Sequence, residues 1–166
     1  MLLSLAATAT MRKGLVCAAM VIALLAATSA AAQSNTFNVD LVTCGEATGG
    51  ETTVPAGSHI VLLAEWTETN RAAVRRFLRL ENTSAAVDGN PVANASSLWG
   101  PVTAESGGYV TTWSYETGVT LSAGESLQVT YDITFRKRFR ASDGTVYERG
   151  SSAFGGPISC RITASA

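Results

Sequence analysis

A single histidine, His59, supplies all the imidazole in this chain. Hydrolysis by a Ser-His-Asp or Cys-His arrangement needs a base that gains and loses protons near neutral pH, so His59 would have to be that base. Ser58 is poorly placed to be its nucleophile, because adjacent residues on a strand point to opposite faces. Zinc sites draw on several His and Cys ligands, and one histidine with three cysteines does not furnish them once two of the cysteines pair. The Asp-x-Asp-x-Asp-Gly pattern of a calcium loop is missing too, and Asp88-Gly89-Asn90 and Asp143-Gly144 read as turn formers. The expectation is therefore no metal, no cofactor and no enzyme. The 13 acids offer many carboxylate pairs for glycosidase chemistry without selecting one; Glu65 and Glu68, flanking Trp66, are expected to face solvent. Lysine and arginine number 12 against those 13 acids, so nothing in the overall charge points to nucleic acid.

Long apolar runs are equally scarce. The one that stands out runs from Leu15 to Ala27 behind Arg12 and Lys13, too short for the roughly 20 residues of a membrane-spanning helix, and Ala30-Ala31-Ala32 comes after it as an A-x-A cleavage site. Residues 1–32 are thus expected to be a signal peptide, starting at Met1 or Met11, with no membrane span in the remaining chain. Cys17 leaves with that segment, and the preceding Gly14-Leu15-Val16 does not resemble a lipobox. What remains, 33–166, carries ten cations against 13 acids and is long enough for one core. Its two cysteines, Cys44 and Cys160, are expected to form a disulfide in a secreted, periplasmic or cell-surface protein.

The mature region is punctuated by Gly or Asp-Gly at short intervals and otherwise alternates apolar and polar residues, the pattern of an all-β sandwich of about seven to nine strands. Phe37, Val39 and Leu41 predict a first strand running into Cys44. Ile60, Leu62, Ala64 and Trp66 share one face of a second, and Leu127, Val129, Tyr131, Ile133 and Phe135 mark the clearest strand of all. Between them, Val74, Phe77 and Leu78 fall at helical spacing behind Asn70, predicting one short capped helix that also carries Arg71, Arg75, Arg76 and Arg79. A hairpin is predicted around Ala141-Ser142-Asp143-Gly144, with Arg140 opposite Thr145, Phe139 opposite Val146 and Lys137 opposite Glu148.

Pro55-Ala56-Gly57, Trp66, Phe77-Leu78, Val87-Asp88-Gly89, Trp99-Gly100-Pro101, Trp113-Ser114-Tyr115 and Leu121-Ser122-Ala123-Gly124 together resemble a set found in short exported bacterial proteins of unknown function. That resemblance implies an immunoglobulin-like antiparallel β-sandwich and carries no chemistry, since its elements are turns and core aromatics.

Two features point to binding. Arg136, Arg138 and Arg140 would share one face of a strand at roughly 6.6 Å spacing, a row able to meet sulfate, phosphate or carboxylate groups of a polyanion. Trp99, in a loop beside Gly100-Pro101, is the aromatic expected to be exposed, whereas Tyr109, Trp113 and Tyr115 read first as a core face and second as a platform for sugar rings. The function expected is an exported binding or adhesion module for a cell-surface polyanion, glycan or protein; the alternative is a secreted carbohydrate-binding domain that uses its aromatics.

Overall fold

Period-two spacing gives strands, and Asp40 decides where the first one stops. The computed structural model describes residues 35–47 and 49–165, so the predicted signal segment and its cleavage site lie outside the described residues. The first strand, β1, spans Thr36–Asp40. The Asp40 carboxylate then accepts hydrogen bonds from Val42 N (2.9 Å) and Thr43 N (3.0 Å), as a helix N-cap does, and residues 41–47 wind into a helical turn. Leu41 and Cys44 therefore sit on that turn and not on a strand, because a side-chain acceptor competes with the β ladder for the next amides.

The remaining elements are β2 (Glu51–Pro55), β3 (His59–Glu68), α1 (Arg71–Leu80), β4 (Glu81–Val87), β5 (Asn90–Pro91), β6 (Thr103–Glu105), β7 (Gly108–Thr120), β8 (Ser126–Phe135), β9 (Phe139–Arg140), β10 (Val146–Tyr147) and β11 (Ile158–Ser165). Seven strands have five residues or more, and the other four are short edge or hairpin pieces. One sheet has the order β1-β3-β7-β6 and the other β2-β11-β8-β4-β5, with β9 and β10 forming a separate ribbon. This is an all-β sandwich with one short helix. Its central neighbours, β3 beside β7 and β4-β8-β11 together, match the B-E and C-F-G adjacency of immunoglobulin-like sandwiches.

Those central pairings are antiparallel, but β1 runs parallel to β3 and β2 parallel to β11. The antiparallel expectation fails at these two edges for a topological reason. Between β1 and β3 the chain reverses twice, visiting the opposite sheet as β2, so it returns to the first sheet in its original direction. A Cys44–Cys160 disulfide (Cα–Cα 5.6 Å) ties the helical turn between β1 and β2 to β11.

Ile60, Leu62 and Ala64 from β3, Trp113 from β7, the odd-numbered residues Leu127 to Phe135 of β8, and Ile162 from β11 fill the space between the sheets. Asn70 caps α1 by accepting from Ala73 N (2.9 Å), and the helix buries Val74 and Phe77 against one end of this core. The flat faces of Trp66 and Phe77 stack there at 4.2 Å, which fixes the helix beside β3.

Candidate functional site

The arginine row predicted on one strand is broken by the fold. β8 ends at Phe135, paired with Glu81, the first residue of β4. Beyond that point its neighbour would be Leu80, which belongs to α1, so the ladder has no strand to continue along. Arg136 N instead donates to the Leu80 carbonyl (2.8 Å), and residues 136–138 bend away before β9 begins. Arg136, Arg138 and Arg140 all remain exposed, but they are not a comb on one strand face.

The hairpin register also differs from expectation by one residue. Phe139 faces Tyr147 and Arg140 faces Val146, while Ala141 N donates to Thr145 O (2.9 Å) and Gly144 N to Ala141 O (3.1 Å). The loop is thus three residues, 142–144, with Gly144 at φ +93°, a left-handed position that favours glycine. Asp143 holds it by accepting from Thr145 N (2.8 Å) and Thr145 Oγ1 (2.9 Å), and the backbone bond above all keeps its carboxyl below the ordinary range. The slip moves the cross-hairpin ion pair from Lys137 to Arg138, whose Nε lies 3.1 Å from Glu148 Oε1 on an exposed surface.

What the fold does bring together is Arg140 with two helical arginines. α1 lies along the hairpin through Phe77 against Phe139 (6.3 Å between ring centres), and the Arg76 guanidinium sits 5.8 Å from the Phe139 ring centre. Between helix and hairpin opens a cleft of about 460 Å³ lined by Asn70, Ala73, Arg76, Arg79, Arg140 and Ser142. Among the described residues the ion pair of Arg138 is the one formed, so no carboxylate lies within 4.0 Å of the three cleft guanidinium groups.

Charge is divided sharply along the chain. The segments 71–81 and 136–149 hold nine of the ten cations in 33–166 and three of its 13 acids; everything else holds Arg161 and the remaining ten acids. A merely solvated helix face mixes the two signs. In α1, Arg71, Arg75 and Arg79 repel one another at i,i+4 spacing, and Arg71 opposes the helix dipole at the N-terminal turn.

A second cleft of about 320 Å³ lies on the other side of Ala141 and Ser142, lined by Glu65, Trp66, Glu68, Gly107, Asp143 and Tyr147. Glu68, expected to face solvent, is buried instead, at 3% exposure. It accepts from Trp66 Nε1 (2.9 Å), from Ser142 N (2.7 Å) and from the Ser142 hydroxyl, so one carboxylate fastens the hairpin tip to β3. The signal is present in the parity of β3: Glu68 shares the inward face of Ile60, Leu62, Ala64 and Trp66. Burial, then the charges of Asp143 and Glu68, push the Tyr147 hydroxyl above its ordinary pKa.

Trp99 is half-buried, its ring edge-on to Phe77 at 5.0 Å and its Nε1 donating to Thr83 Oγ1 (2.9 Å), not a freely exposed loop aromatic. That hydroxyl in turn donates to buried Glu81 (2.7 Å). Trp113 is fully buried with its Nε1 on the Ala95 carbonyl (2.7 Å), which removes the Tyr109-Trp113-Tyr115 platform as a surface. His59 is exposed, its Nδ1 3.2 Å from Thr120 Oγ1, while Ser58 is buried. Among the described residues no group of His, Cys, Asp or Glu is arranged to hold a metal, and no helix is long and apolar enough to cross a membrane. No protein family, curated protein or solved structure matches the chain.

Proposed function

We propose that this chain is an exported, non-enzymatic binding module for an anionic ligand, and that Arg76, Arg79 and Arg140 form its anion site. The observation that carries the reading is the cleft itself: three arginines from two elements line one opening with no carboxylate within 4.0 Å among the described residues, and the two segments that supply them hold nine of the ten cations of 33–166. Guanidinium groups offer paired N–H donors that match phosphate, sulfate and carboxylate oxygens, and keeping them together unpaired is unfavourable unless an anion relieves the repulsion. The disulfide supports the exported reading, since such bonds persist in oxidising compartments. His59 meets the Thr120 hydroxyl (3.2 Å) but makes no ion pair with a carboxylate among the described residues, which favours the non-enzymatic reading over a Ser-His-Asp arrangement.

Titration of the chain from Gln33 with linear polyphosphate tests the reading. Binding should be measurable at low salt and should weaken as ionic strength rises, because exposed charges are screened beyond a Debye length of about 8 Å at physiological salt. Affinity indifferent to salt, or no binding even at low salt, overturns it.

A further inference from the structure

The guanidinium cleft does not account for all the cations beside it. Arg71, Arg75 and Arg79 follow one another at i,i+4 spacing, all exposed on α1, and of the three Arg79 alone lines the cleft. A helix rises 1.5 Å per residue, so each step of this ridge climbs about 6 Å and Arg71 stands about 12 Å of axial rise from Arg79. Among the described residues no hydrogen bond or ion pair engages these three side chains. From Arg71 to Leu80 the helix holds four arginines and no acid, so it contains no i,i+4 partner of opposite sign. Arg79 suits the C-terminal end of the helix dipole but Arg71 opposes it at the other end, so helix stability does not explain the ridge. The ridge is also bare of rings, because Phe77, the one aromatic of α1, is buried.

We infer that the ligand is a linear polymer of oxyanion groups without bases, which seats one group among Arg76, Arg79 and Arg140 and lays the following groups along Arg75 and Arg71. The inference rests on the anion-site reading above and adds the track that lies beyond the cleft. A small anion fills the cleft and leaves Arg71 and Arg75 unneutralised. Single-stranded nucleic acid also supplies a chain of phosphates, but proteins that hold it without sequence preference pair a basic track with rings on which bases stack, and this ridge has none. A chain of linked anions uses cleft and ridge together, and once its first group is seated each further contact is intramolecular.

Titration of the chain from Gln33 with long-chain polyphosphate and with pyrophosphate, each at several salt concentrations, tests this. Arg71→Gln combined with Arg75→Gln removes two exposed cations, keeps good helix formers and relieves like-charge repulsion, so the double variant should fold with a Tm no lower than the parent. It should weaken polyphosphate at least about tenfold at low salt and flatten the slope of log K against log salt by about 1.4, two lost contacts at about 0.7 each. Pyrophosphate, held within the cleft, should stay within about twofold. Arg161→Glu lowers the net charge by the same two units in another segment and should change neither affinity by more than about twofold. If the double variant keeps the parent's affinity and salt slope for polyphosphate, the track is wrong while the anion site stands. A loss shared equally by pyrophosphate overturns the track as well, since the ridge would then act as a general field and not as a line of contacts. If neither ligand binds the parent, both readings fail. Oligothymidylate binding more tightly than polyphosphate of the same phosphate count overturns the base-free assignment. Given a ridge-dependent slope, competition between polyphosphate and dextran sulfate of equal charge assigns the oxyanion as phosphate or sulfate.

Discussion

Glu68→Ala removes a single carboxylate and should loosen the tip of the hairpin that both clefts share. In the folded chain this group accepts from Trp66 Nε1, Ser142 N and the Ser142 hydroxyl. A hydrogen bond to a charged acceptor contributes about 1.5–3 kcal/mol, yet the three do not add. Ser142 is exposed and its donors find water once the carboxylate is gone, so the loss falls mainly on the bond from the half-buried indole. The burial of Glu68 itself also has an unfavourable desolvation part that vanishes with the mutation. The net loss is therefore about 2–4 kcal/mol, nearer the worth of one buried and one partly buried bond than of three. For a domain of this size that is a fall in Tm of about 10 °C. Glu68→Gln keeps the shape and one acceptor, so it should lose about half as much. Thermal melts monitored by circular dichroism give the numbers, and hydrogen exchange should show the Ser142 amide opening faster in both variants. If Glu68→Ala melts within about 1 kcal/mol equivalent of the parent and the Ser142 amide keeps its protection, the clamp is wrong.

The packing sets three further outcomes. The chain from Gln33 should show no titratable thiol before reduction, and Cys160→Ser should lose up to about 4–5 kcal/mol, the chain-entropy value for a loop of 116 residues, while keeping its β spectrum. Gly108→Ala would place a Cβ 2.5 Å from the Glu68 carbonyl oxygen, where only backbone movement relieves the overlap, so it should cost about 1–3 kcal/mol; a neutral result contradicts the close approach of β7 to the end of β3. Tyr131 is buried between the sheets, its hydroxyl pKa raised first by desolvation and then by the Glu81 charge, against a smaller lowering by the Thr83 hydroxyl. A raised tyrosine pKa favours the neutral form, so its contribution is complete below the ordinary value and is lost only as pH climbs through the folded one. On alkaline titration, tyrosinate absorbance should therefore fall short of four tyrosines until the β signal collapses, and full ionisation of a still-folded chain refutes that burial.

Much of the fold is legible in the sequence because its signals are local. Strand alternation, the Asn70 cap and the helical spacing of Val74, Phe77 and Leu78 each depend on residues within one or two turns, and each appears where expected. The exit of the chain at Asp40 is less visible, since an aspartate caps a helix or sits on a strand according to the residues after it. Departures elsewhere depend on distant partners. The end of β8 is set by the boundary between α1 and β4, dozens of residues away, and that boundary is what disperses the arginine row. Arg76 and Arg79 are legible as positions on a helix, but their meeting with Arg140 depends on α1 lying on the hairpin, which no local pattern encodes. Glu68 misleads through residue type alone: its charge argues for solvent while its parity on β3 argues for the interior, and three donors let parity win.

The most direct test of the anion site compares Arg79→Glu with Arg161→Glu. Each variant lowers the net charge by two, but Arg79 lines the cleft and Arg161 is the one cation of 33–166 outside the helix and hairpin segments. Polyphosphate affinity measured at low salt should drop at least about tenfold for Arg79→Glu and stay within about twofold for Arg161→Glu, since screening confines each charge to its own neighbourhood. Equal losses in the two variants would mean that the chain responds to anions through its net charge alone, and the cleft would not be a site.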